Sequence, residues 1–420
     1  MLENKSRILW ISPYAPYDGV GHAGGKTHNY YLKYFHSSQK FDITLLTLCM
    51  NDEAQKLDLS KYKIKNEIGF LDTNKTKKML RRITSGFSYW NPFDRYGGIC
   101  QIYERTLMKK LLKNYIKAGY NPNIIIMQWT YSLMLLDYLK AIFPTSQYIA
   151  IEEDVSYLNF FRQFKQATNR ILKFIWEKKY EHLFNMEISM LKNVDLIVTN
   201  NKKDSKLLEK DGIDATKIET ATPYFDNYSK VERCVEGRDI LFYGAMSRPE
   251  NYKSAEWFIQ KVMPLLKKEK FRFIIAGGNP VETLLKLQNE HIIVTGYVDH
   301  MENYFSQCVC FVAPLLIGAG IKVKILEAMS SGIPVLTNEI GIEGINARNG
   351  KEYLYCKSPE DYANNILQSI KEKKLFEDIG INGKKFIEKN YNINYQLDIL
   401  IQRILKNEEK KNAETYKRNL

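Results

Sequence analysis

The 420-residue chain is predicted to be an α/β protein with parallel sheets, and three observations lead to this prediction. Short apolar runs recur along the chain, and they are continuous where a half-exposed strand would alternate with polar residues. Helical stretches separate these runs. The alternation breaks once, in the polar and aperiodic residues 229–238. Because continuous apolar strands are typical of sheets covered by helices on both faces, the sequence predicts two tandem doubly wound domains.

In the first half, apolar runs that predict strands alternate with stretches of helical periodicity. Pro13 ends the first run, since proline has no amide to donate to a sheet. The predicted strands cover residues 7–12, 41–48, 123–128, 147–151 and 195–200, and two clear helices cover residues 27–37 and 169–192.

The second half repeats the pattern, with predicted strands at residues 239–243, 271–276, 292–295, 309–314, 334–337 and 352–355. The sequence therefore predicts an N-terminal domain at residues 1–228 and a second domain at 229–385. A C-terminal helix and charged tail at 386–420 are expected to pack back on the first domain. Two such Rossmann-like domains would face a cleft between their strand ends, where ligands gather in this fold class.

Composition places the chain among ordinary globular enzymes, with 45% hydrophobic and 26% charged residues. No apolar run approaches the roughly 20 residues of a membrane helix, and the first ten residues lack the apolar core of a signal peptide. The six cysteines show no metal-type spacing, and Cys308 and Cys310 lie in an apolar strand pattern, which predicts buried thiols. These features favour a reducing cytoplasm.

A net charge of +13 favours an anionic partner. No helix-turn-helix, zinc-finger or RNA-binding aromatic motif is present, so nucleic acid is not expected. Basic residues cluster at 75–83, just before Phe87 and Trp90, and cations beside aromatic residues suit contact with an anionic membrane at the level of the headgroups. A solvated helix followed by a core-packing aromatic turn explains the pattern equally well, and both interpretations stay open.

Residues 314–336 carry the most informative motif, in which a strand end, a glycine-rich turn, a helix, a tight turn and a strand follow each other. Gly318 and Gly320 lie where the turn becomes a helix, so their amides can face an anion. Lys322 and Lys324 add cations, and Glu327 lies two turns into the helix. The layout predicts a site for a nucleoside diphosphate. The alternative is a plain turn followed by a solvated lysine face.

Residues 326–335, Leu-Glu-Ala-Met-Ser-Ser-Gly-Ile-Pro-Val, resemble a segment of the retaining GT4-type glycosyltransferases, which have the GT-B fold. The resemblance implies that Glu327 holds the ribose hydroxyls and that residues 318–321 contact the donor. Those four residues are Gly318, Ala319, Gly320 and Ile321. Most of the family has a glutamate at the place of Ala319, so the carboxylate that would contact the donor sugar is missing here.

Further pieces of the resemblance extend over about residues 240–367. Many relatives have Gly-Arg after the first strand of this domain and a lysine five residues later, both on the diphosphate. The present chain has Gly244 with Arg248 and Lys253 at shifted spacing, and solvated loop charges are the alternative. Gly277 lies in a turn similar to the family's Ala-Gly-x-Gly, and Val298 in a segment similar to its Leu-Gly-x-Val, whose backbone contacts the base.

In the first domain, residues 19–24 match G-x-G-x-x-G by letter but lie too far beyond the first strand for a dinucleotide site. Gly24 and Gly25, just before a helix, instead predict backbone contact with the donor diphosphate, as the Gly-Gly pair of the family does; a flexible loop is the alternative. Asp154 ends an acidic run that follows a predicted strand. It is expected to orient or deprotonate an acceptor, unless these acids are simply solvated.

The resemblance implies a retaining, hexosyltransferase-type enzyme that moves a sugar from a UDP- or GDP-sugar to a glycan, lipid-linked or protein acceptor in polysaccharide or glycoconjugate synthesis. Lys322 and Arg248 would stabilise the departing diphosphate, with neither metal nor cofactor. The expected location is the cytoplasm, with peripheral contact at the inner face of the plasma membrane. A non-catalytic GT-B partner of another transferase and a sugar-nucleotide epimerase remain the alternatives.

Overall fold

A computed structural model describes residues 5–72, 74–318 and 320–418. The chain divides into two compact units: unit 1 contains Met1–Tyr224 and Ile393–Leu420, and unit 2 contains Phe225–Asn392. The sequence placed the corresponding boundaries at 228 and 385. The difference at the first boundary has a local cause, because the amides of Asp226 and Tyr228 donate to side chains of a helix in unit 2.

Unit 1 is built around a parallel sheet with strand order β3-β2-β1-β4-β5-β6-β7. Its strands are β1 (Ser6–Ser12), β2 (Phe41–Cys49), β3 (Lys65–Phe70), β4 (Ile124–Gln128), β5 (Gln147–Glu152), β6 (Leu196–Thr199) and β7 (Ile218–Thr220). Its helices are α1 (Ala23–Ser37), α2 (Lys75–Trp90), α3 (Ile102–Lys117), α4 (Trp129–Leu133), α5 (Leu136–Ile142), α6 (Tyr157–Gln166), α7 (Arg170–Lys192) and α8 (Lys202–Lys210), together with the C-terminal helix Ile393–Arg418.

The core of unit 1 follows from the apolar strands. Trp10 of β1 is fully buried, and its ring meets Phe35 of α1 edge-on with the ring centroids 5.4 Å apart. The C-terminal helix buries Leu400 and Ile404 in the same cluster. Tyr34 of α1 also donates a hydrogen bond to Asp398 of this helix. The C-terminal helix therefore covers the same face of the sheet as α1.

Unit 2 contains a second parallel sheet, with strand order β10-β9-β8-β11-β12-β13. Its strands are β8 (Asp239–Tyr243), β9 (Arg272–Ala276), β10 (Ile292–Gly296), β11 (Cys310–Ala313), β12 (Val335–Thr337) and β13 (Leu354–Tyr355). Its helices are α9 (Pro249–Lys261), α10 (Glu282–Leu285), α11 (Met301–Gln307), α12 (Val323–Ser331), α13 (Pro359–Lys371) and α14 (Lys373–Asn390), so the C-terminal helix Ile393–Arg418 is α15.

The predicted α/β class with two parallel sheets is confirmed. The sequence missed β3 and β7, because β3 is mostly exposed and polar and β7 has only three residues. Cys308 and Cys310 are buried free thiols, as their apolar context predicted. Within the described residues, none of the helices combines the length and the hydrophobicity that crossing a bilayer requires.

Candidate functional site

Three glycines bring the backbone of unit 2 together at the edge where the strands end. Gly244 follows β8, Gly277 follows β9 and Gly296 ends β10, and their φ angles are +158°, +146° and +71°. Gly277 donates its amide to the carbonyl of Gly296 at 2.8 Å. A Cβ at Gly277 would lie 1.8 Å from the carbonyl oxygen of Gly244. The strand ends therefore meet through their backbones and form a glycine-lined edge, with no space for a side chain at Gly277.

The loop after β11 leads into α12 with two further glycines in the left-handed region, Gly318 (φ +143°) and Gly320 (φ +68°). Asn338, after β12, donates its side-chain amide to the carbonyl of Leu315 at 2.7 Å and so ties this loop to the neighbouring strand. Ile321 is half-buried against the core of unit 2. Ala319 lies outside the described residues.

The N-terminus of helix α12 lies at this edge, and no acidic residue of the helix's own first turn neutralises it. The N-cap residue, Lys322, makes no capping hydrogen bond through its side chain, and the first turn contains no acidic residue. Its ammonium instead donates to the carbonyl of Gly320 and lies 3.4 Å from Glu343 Oε2. The helix dipole thus places positive charge beside the glycine loop, and Lys322 adds a cation that Glu343 partly offsets, an arrangement that favours an anionic ligand.

Lys324, which the sequence predicted only as an additional cation, is packed against the end of β8. Its Nζ donates to Asn251 Oδ1 at 2.5 Å and lies 5.0 Å from the centre of the Phe242 ring. A Cβ at Gly244 would lie 2.7 Å from this nitrogen, so the ammonium packs directly against the end of β8. Burial lowers the pKa of Lys324 to about 7, although Glu250 and Glu327 oppose the shift. At neutral pH, Lys324 is therefore close to half-protonated at the centre of the edge.

Glu327 lies in α12, and its carboxylate is held by two donors. The hydroxyl of Tyr243 donates to one oxygen, and the amide of Asp226 donates to the other at 3.3 Å. The side chain is buried, and burial together with the adjacent carboxylate raises the pKa of Tyr243 well above its usual value. A buried carboxylate oriented in this way can accept further hydrogen bonds from ligand hydroxyls.

The remaining predicted residues of unit 2 lie around this edge but face solvent to different degrees. Arg248 is the N-cap of α9, and its Nε lies 2.6 Å from Glu250 in an exposed ion pair. Lys253 is exposed in the second turn of α9. Val298 is half-buried next to the exposed ring of Tyr297.

In unit 1, Gly24 and Gly25 form the first turn of α1. The N-cap His22 accepts a hydrogen bond from the amide of Gly25 at 3.0 Å. A Cβ at Gly24 would lie 3.3 Å from the ring of Trp129 and 3.6 Å from the carboxyl carbon of Glu153. The start of this helix therefore packs closely against the residues that follow β4 and β5.

Glu153, next to the predicted Asp154, has the more specific surroundings. Gln128 and Asn200 each donate to its carboxylate at 2.8 Å, and burial raises its pKa to about 8. Asp154 is exposed in the same turn. The sequence showed three adjacent acids and gave no signal by which to choose among them.

Trp129, at the end of β4, has a φ of +63°, which is strained for so bulky a residue. Strained residues and carboxyl groups with raised pKa values concentrate at functional sites. Among the described residues, no group of three or more His, Cys, Asp or Glu side chains is arranged to hold a metal ion.

Known families and proteins resemble this chain in sequence and in fold. Residues 237–372 match the family model "Glycosyl transferases group 1", and this segment contains the whole glycine-lined edge of unit 2. An uncharacterized 44.6 kDa protein in the cps region of Klebsiella pneumoniae is 27% identical over 274 residues, covering 58% of this chain and 70% of that protein. An uncharacterized glycosyltransferase of Methanocaldococcus jannaschii is 25% identical over 282 residues, covering 61% and 67%.

Solved structures share the fold along nearly the whole chain. HepE of Anabaena, in complex with UDP and glucose, superposes with a TM-score of 0.64 at 12% identity, covering 96% of this chain and 100% of that one. Sucrose-phosphate synthase of Thermosynechococcus elongatus gives a TM-score of 0.66 at 14% identity, with coverage of 96% and 100%. At these identities the likeness establishes the fold, and the two α/β units are those of the GT-B glycosyltransferase fold.

Proposed function

We propose that this protein is a glycosyltransferase that takes a sugar from a nucleoside-diphosphate sugar and transfers it to a glycan, lipid-linked or protein acceptor. The observation that carries the proposal is the glycine-lined, cation-bearing edge of unit 2, which lies inside the segment that matches the group 1 glycosyl transferases. The cps-region setting of one relative favours a role in the synthesis of a cell-surface polysaccharide.

The donor diphosphate is assigned to the start of α12. Amides of the loop around Gly318 and Gly320 and the N-terminus of the helix supply hydrogen-bond donors, and Lys322 supplies a cation. Glu327 accepts hydrogen bonds from the ribose hydroxyls. Gly244 and Gly277 let the donor contact the backbone at the ends of β8 and β9, because both are partly exposed and neither carries a side chain. Val298 and Ile321 complete the contacts with the nucleoside.

Charge that develops on the leaving diphosphate requires preorganised cations. Lys322 and Lys324 are held by carbonyl, amide and carboxylate groups of the protein, so their positions cost little reorganisation during the reaction. Arg248 and Lys253, which are exposed at the start of α9, add contacts to the phosphates once a donor is bound. The GT4 resemblance supports retention of configuration, a mechanism in which a diphosphate oxygen helps to deprotonate the acceptor, with no metal ion.

The acceptor is assigned to unit 1, and Gly24 and Gly25 are the proposed backbone contacts of this unit with the donor diphosphate, as the family resemblance implies. Glu153 and Asp154 are the candidate groups for orienting an acceptor hydroxyl, since both follow β5 and the pKa of Glu153 is raised to about 8. The donor base is proposed to be uracil or guanine. The structural neighbour HepE was solved with UDP and glucose, so uracil is the first choice of the two. The proposed location is the cytoplasm.

Incubation with UDP- and GDP-sugars tests the activity. Release of nucleoside diphosphate together with a glycosylated product, detected by mass spectrometry with lipid-linked and glycan acceptors, is the expected result. If a donor binds but no donor–acceptor combination releases nucleotide, the protein would instead be a non-catalytic partner of another transferase. The absence of the family glutamate at Ala319 is the reason to consider this alternative. Conversion of the donor alone to an isomeric sugar nucleotide would favour an epimerase.

Lys324 is expected to make nucleotide affinity depend on pH. Its ammonium has a pKa of about 7 in the free protein, and a bound diphosphate favours the protonated form, so binding above pH 7 takes up a proton. Affinity for the nucleoside diphosphate should therefore fall as pH rises above 7, by up to about tenfold per pH unit. Calorimetric titration between pH 6 and about pH 9 measures this slope.

The matched variants are Lys324→Met, which keeps the length of the side chain, and Lys267→Met, an exposed lysine outside the edge. Lys324→Met should bind more weakly and lose the pH dependence, whereas Lys267→Met should retain the wild-type profile. A wild-type pH profile in Lys324→Met would show that this ammonium does not face the diphosphate.

A further inference from the structure

Helix α2 is the most strongly basic element of unit 1, and its composition is one-sided. Its sixteen residues contain five cations and no acidic residue. Lys75, Lys77, Lys78 and Arg82 are exposed. Ser88 alone among its described residues is buried, so the helix lies on the surface along nearly its whole length.

The apolar residues of α2 form one exposed stripe. Met79, Ile83 and Phe87 are spaced four residues apart, which places them on one face of the helix. Their exposed fractions are 64%, 58% and 65%, far above those of residues that pack in a core. Trp90 and Phe93 continue the exposed aromatic surface beyond them, at 54% and 68%. A contiguous apolar surface of this kind marks an interaction site.

Ion pairs and hydrogen bonds fix α2, which carries the stripe, to the rest of unit 1. Arg81 pairs with Asp72 and Glu104 and so fixes α2 against α3. The fully buried Lys179 of α7 donates to the carbonyl of Ser88 at 3.1 Å and to that of Gly97 at 2.7 Å. Buried lysines are costly, so this one indicates a tertiary structure that holds the end of α2 in a defined place.

The N-terminal end of α7 extends the same kind of surface. The ring of Trp176 lies 5.7 Å from that of Tyr89 and 6.2 Å from that of Trp90, so it packs beneath the end of α2. Leu172, one helical turn before Trp176, is exposed, as is Ile171 at 71%. Lys173 lies between these positions and Phe174. Exposed apolar and basic residues thus lie side by side on both α2 and the start of α7.

We propose that this surface, formed by the exposed face of α2 with Phe93 and the start of α7, docks the protein on an anionic lipid bilayer. The stripe enters the interface between headgroups and acyl chains, while Lys75, Lys77, Lys78 and Arg82 contact lipid phosphates. An amphipathic helix with a basic polar face and exposed aromatic residues has the composition of an interfacial helix. The apolar stripe suits the acyl chains of the bilayer, and the positive charge of the surface suits anionic headgroups.

A second copy of the chain is a poorer occupant for this surface. Isologous pairing would bring two clusters of exposed cations together, with no acidic residue in α2 to neutralise them. Anionic lipid supplies the opposite charge directly. The inference concerns a surface distinct from the nucleotide site, so its failure leaves the proposed transferase activity untouched.

Flotation of the full-length protein with vesicles tests the proposal. We expect binding to phosphatidylcholine vesicles that contain on the order of 30 mol% phosphatidylglycerol, little binding to pure phosphatidylcholine, and weakening as salt is raised. Met79→Ser/Ile83→Ser/Phe87→Ser should reduce binding about tenfold or more. Lys75→Gln/Lys77→Gln/Lys78→Gln/Arg82→Gln should do the same by removing four charges.

Matched controls separate this surface from net charge and general apolarity. Lys267→Gln/Lys268→Gln/Lys371→Gln/Lys374→Gln removes four exposed charges elsewhere, and Leu375→Ser/Ile381→Ser removes exposed apolar residues of α14. Both control sets should bind like the wild type, and circular dichroism and the unfolding midpoint verify that each variant is folded. Equal loss in test and control sets, binding independent of lipid charge, or conversion of a dimer to a monomer by the stripe variants would overturn the proposal.

Discussion

Gly277→Ala is expected to lower the free energy of unfolding by about 3 kcal/mol or more, since it combines backbone strain with overpacking. The new methyl group would lie 1.8 Å from the carbonyl oxygen of Gly244, and the φ of +146° disfavours any residue with a side chain. Neither strand end can move freely, because Gly277 and Gly244 both bond to neighbouring strands. Urea unfolding of the full chain measures the loss, and hydrogen exchange in β8 and β9 localises it.

Gly278→Ala provides the matched control one residue away. A Cβ there meets only the Tyr297 side chain, at 3.8 Å, and the backbone is not in the left-handed region. The free energy of unfolding of this variant should lie within about 1 kcal/mol of the wild-type value. If both variants were equally stable, the close approach of β8 and β9 would not exist in the protein, and the backbone-lined edge would lose its basis.

Glu327→Gln is expected to weaken nucleotide binding about tenfold or more, because hydrogen bonds to a charged group contribute roughly 1.5–3 kcal/mol each. The substitution keeps the size of the side chain and one acceptor oxygen, while it removes the charge that the ribose hydroxyls would contact. Glu327→Ala should also destabilise the fold, since it removes a buried acceptor of the Asp226 amide and leaves the Tyr243 hydroxyl with the longer bond to the carbonyl of Lys324. Calorimetry with UDP and GDP measures the affinity.

Tyr243→Phe distinguishes direct contact from positioning. It removes one hydrogen-bond donor to Glu327 and leaves the carboxylate in place. Its affinity should lie between those of the wild type and Glu327→Gln. An unchanged affinity in a well-folded Glu327→Gln variant would exclude this carboxylate from the nucleotide site.

The part of the glycine-lined edge that lies around α12 could be predicted from local sequence, because its residues are nearly consecutive. The turn at Gly318 and Gly320, the helix that follows it and the position of Glu327 all lie within one short segment. Gly277 was found in the same way, since it directly follows an apolar strand. Each of these features depends on neighbours a few residues away along the chain.

The surroundings of Lys324 could not be predicted from local sequence. The residues that surround it, Phe242, Gly244 and Asn251, lie more than seventy positions earlier, on β8 and α9. In the sequence it is one of two lysines at the start of a helix, a pattern equally typical of a solvated face. Its lowered pKa arises only from tertiary packing.

The same holds for unit 1, where Glu153 is distinguished from its acidic neighbours by Gln128 and Asn200 from adjacent strands. The surface of α2 was left open between solvent, core and membrane, because periodicity alone does not tell an apolar stripe that packs from one that stays exposed. The exposure of Ile83 and Phe87 decides against the core.

A crystal structure with bound UDP or GDP would show whether the glycine-lined edge of unit 2 binds the diphosphate of an activated sugar. We expect phosphate oxygens within hydrogen-bonding distance of the amides around Gly320 and of Lys322, with the ribose hydroxyls on Glu327. A nucleotide bound away from the start of α12, or one whose ribose and phosphates contact neither Glu327 nor Lys322, would contradict it.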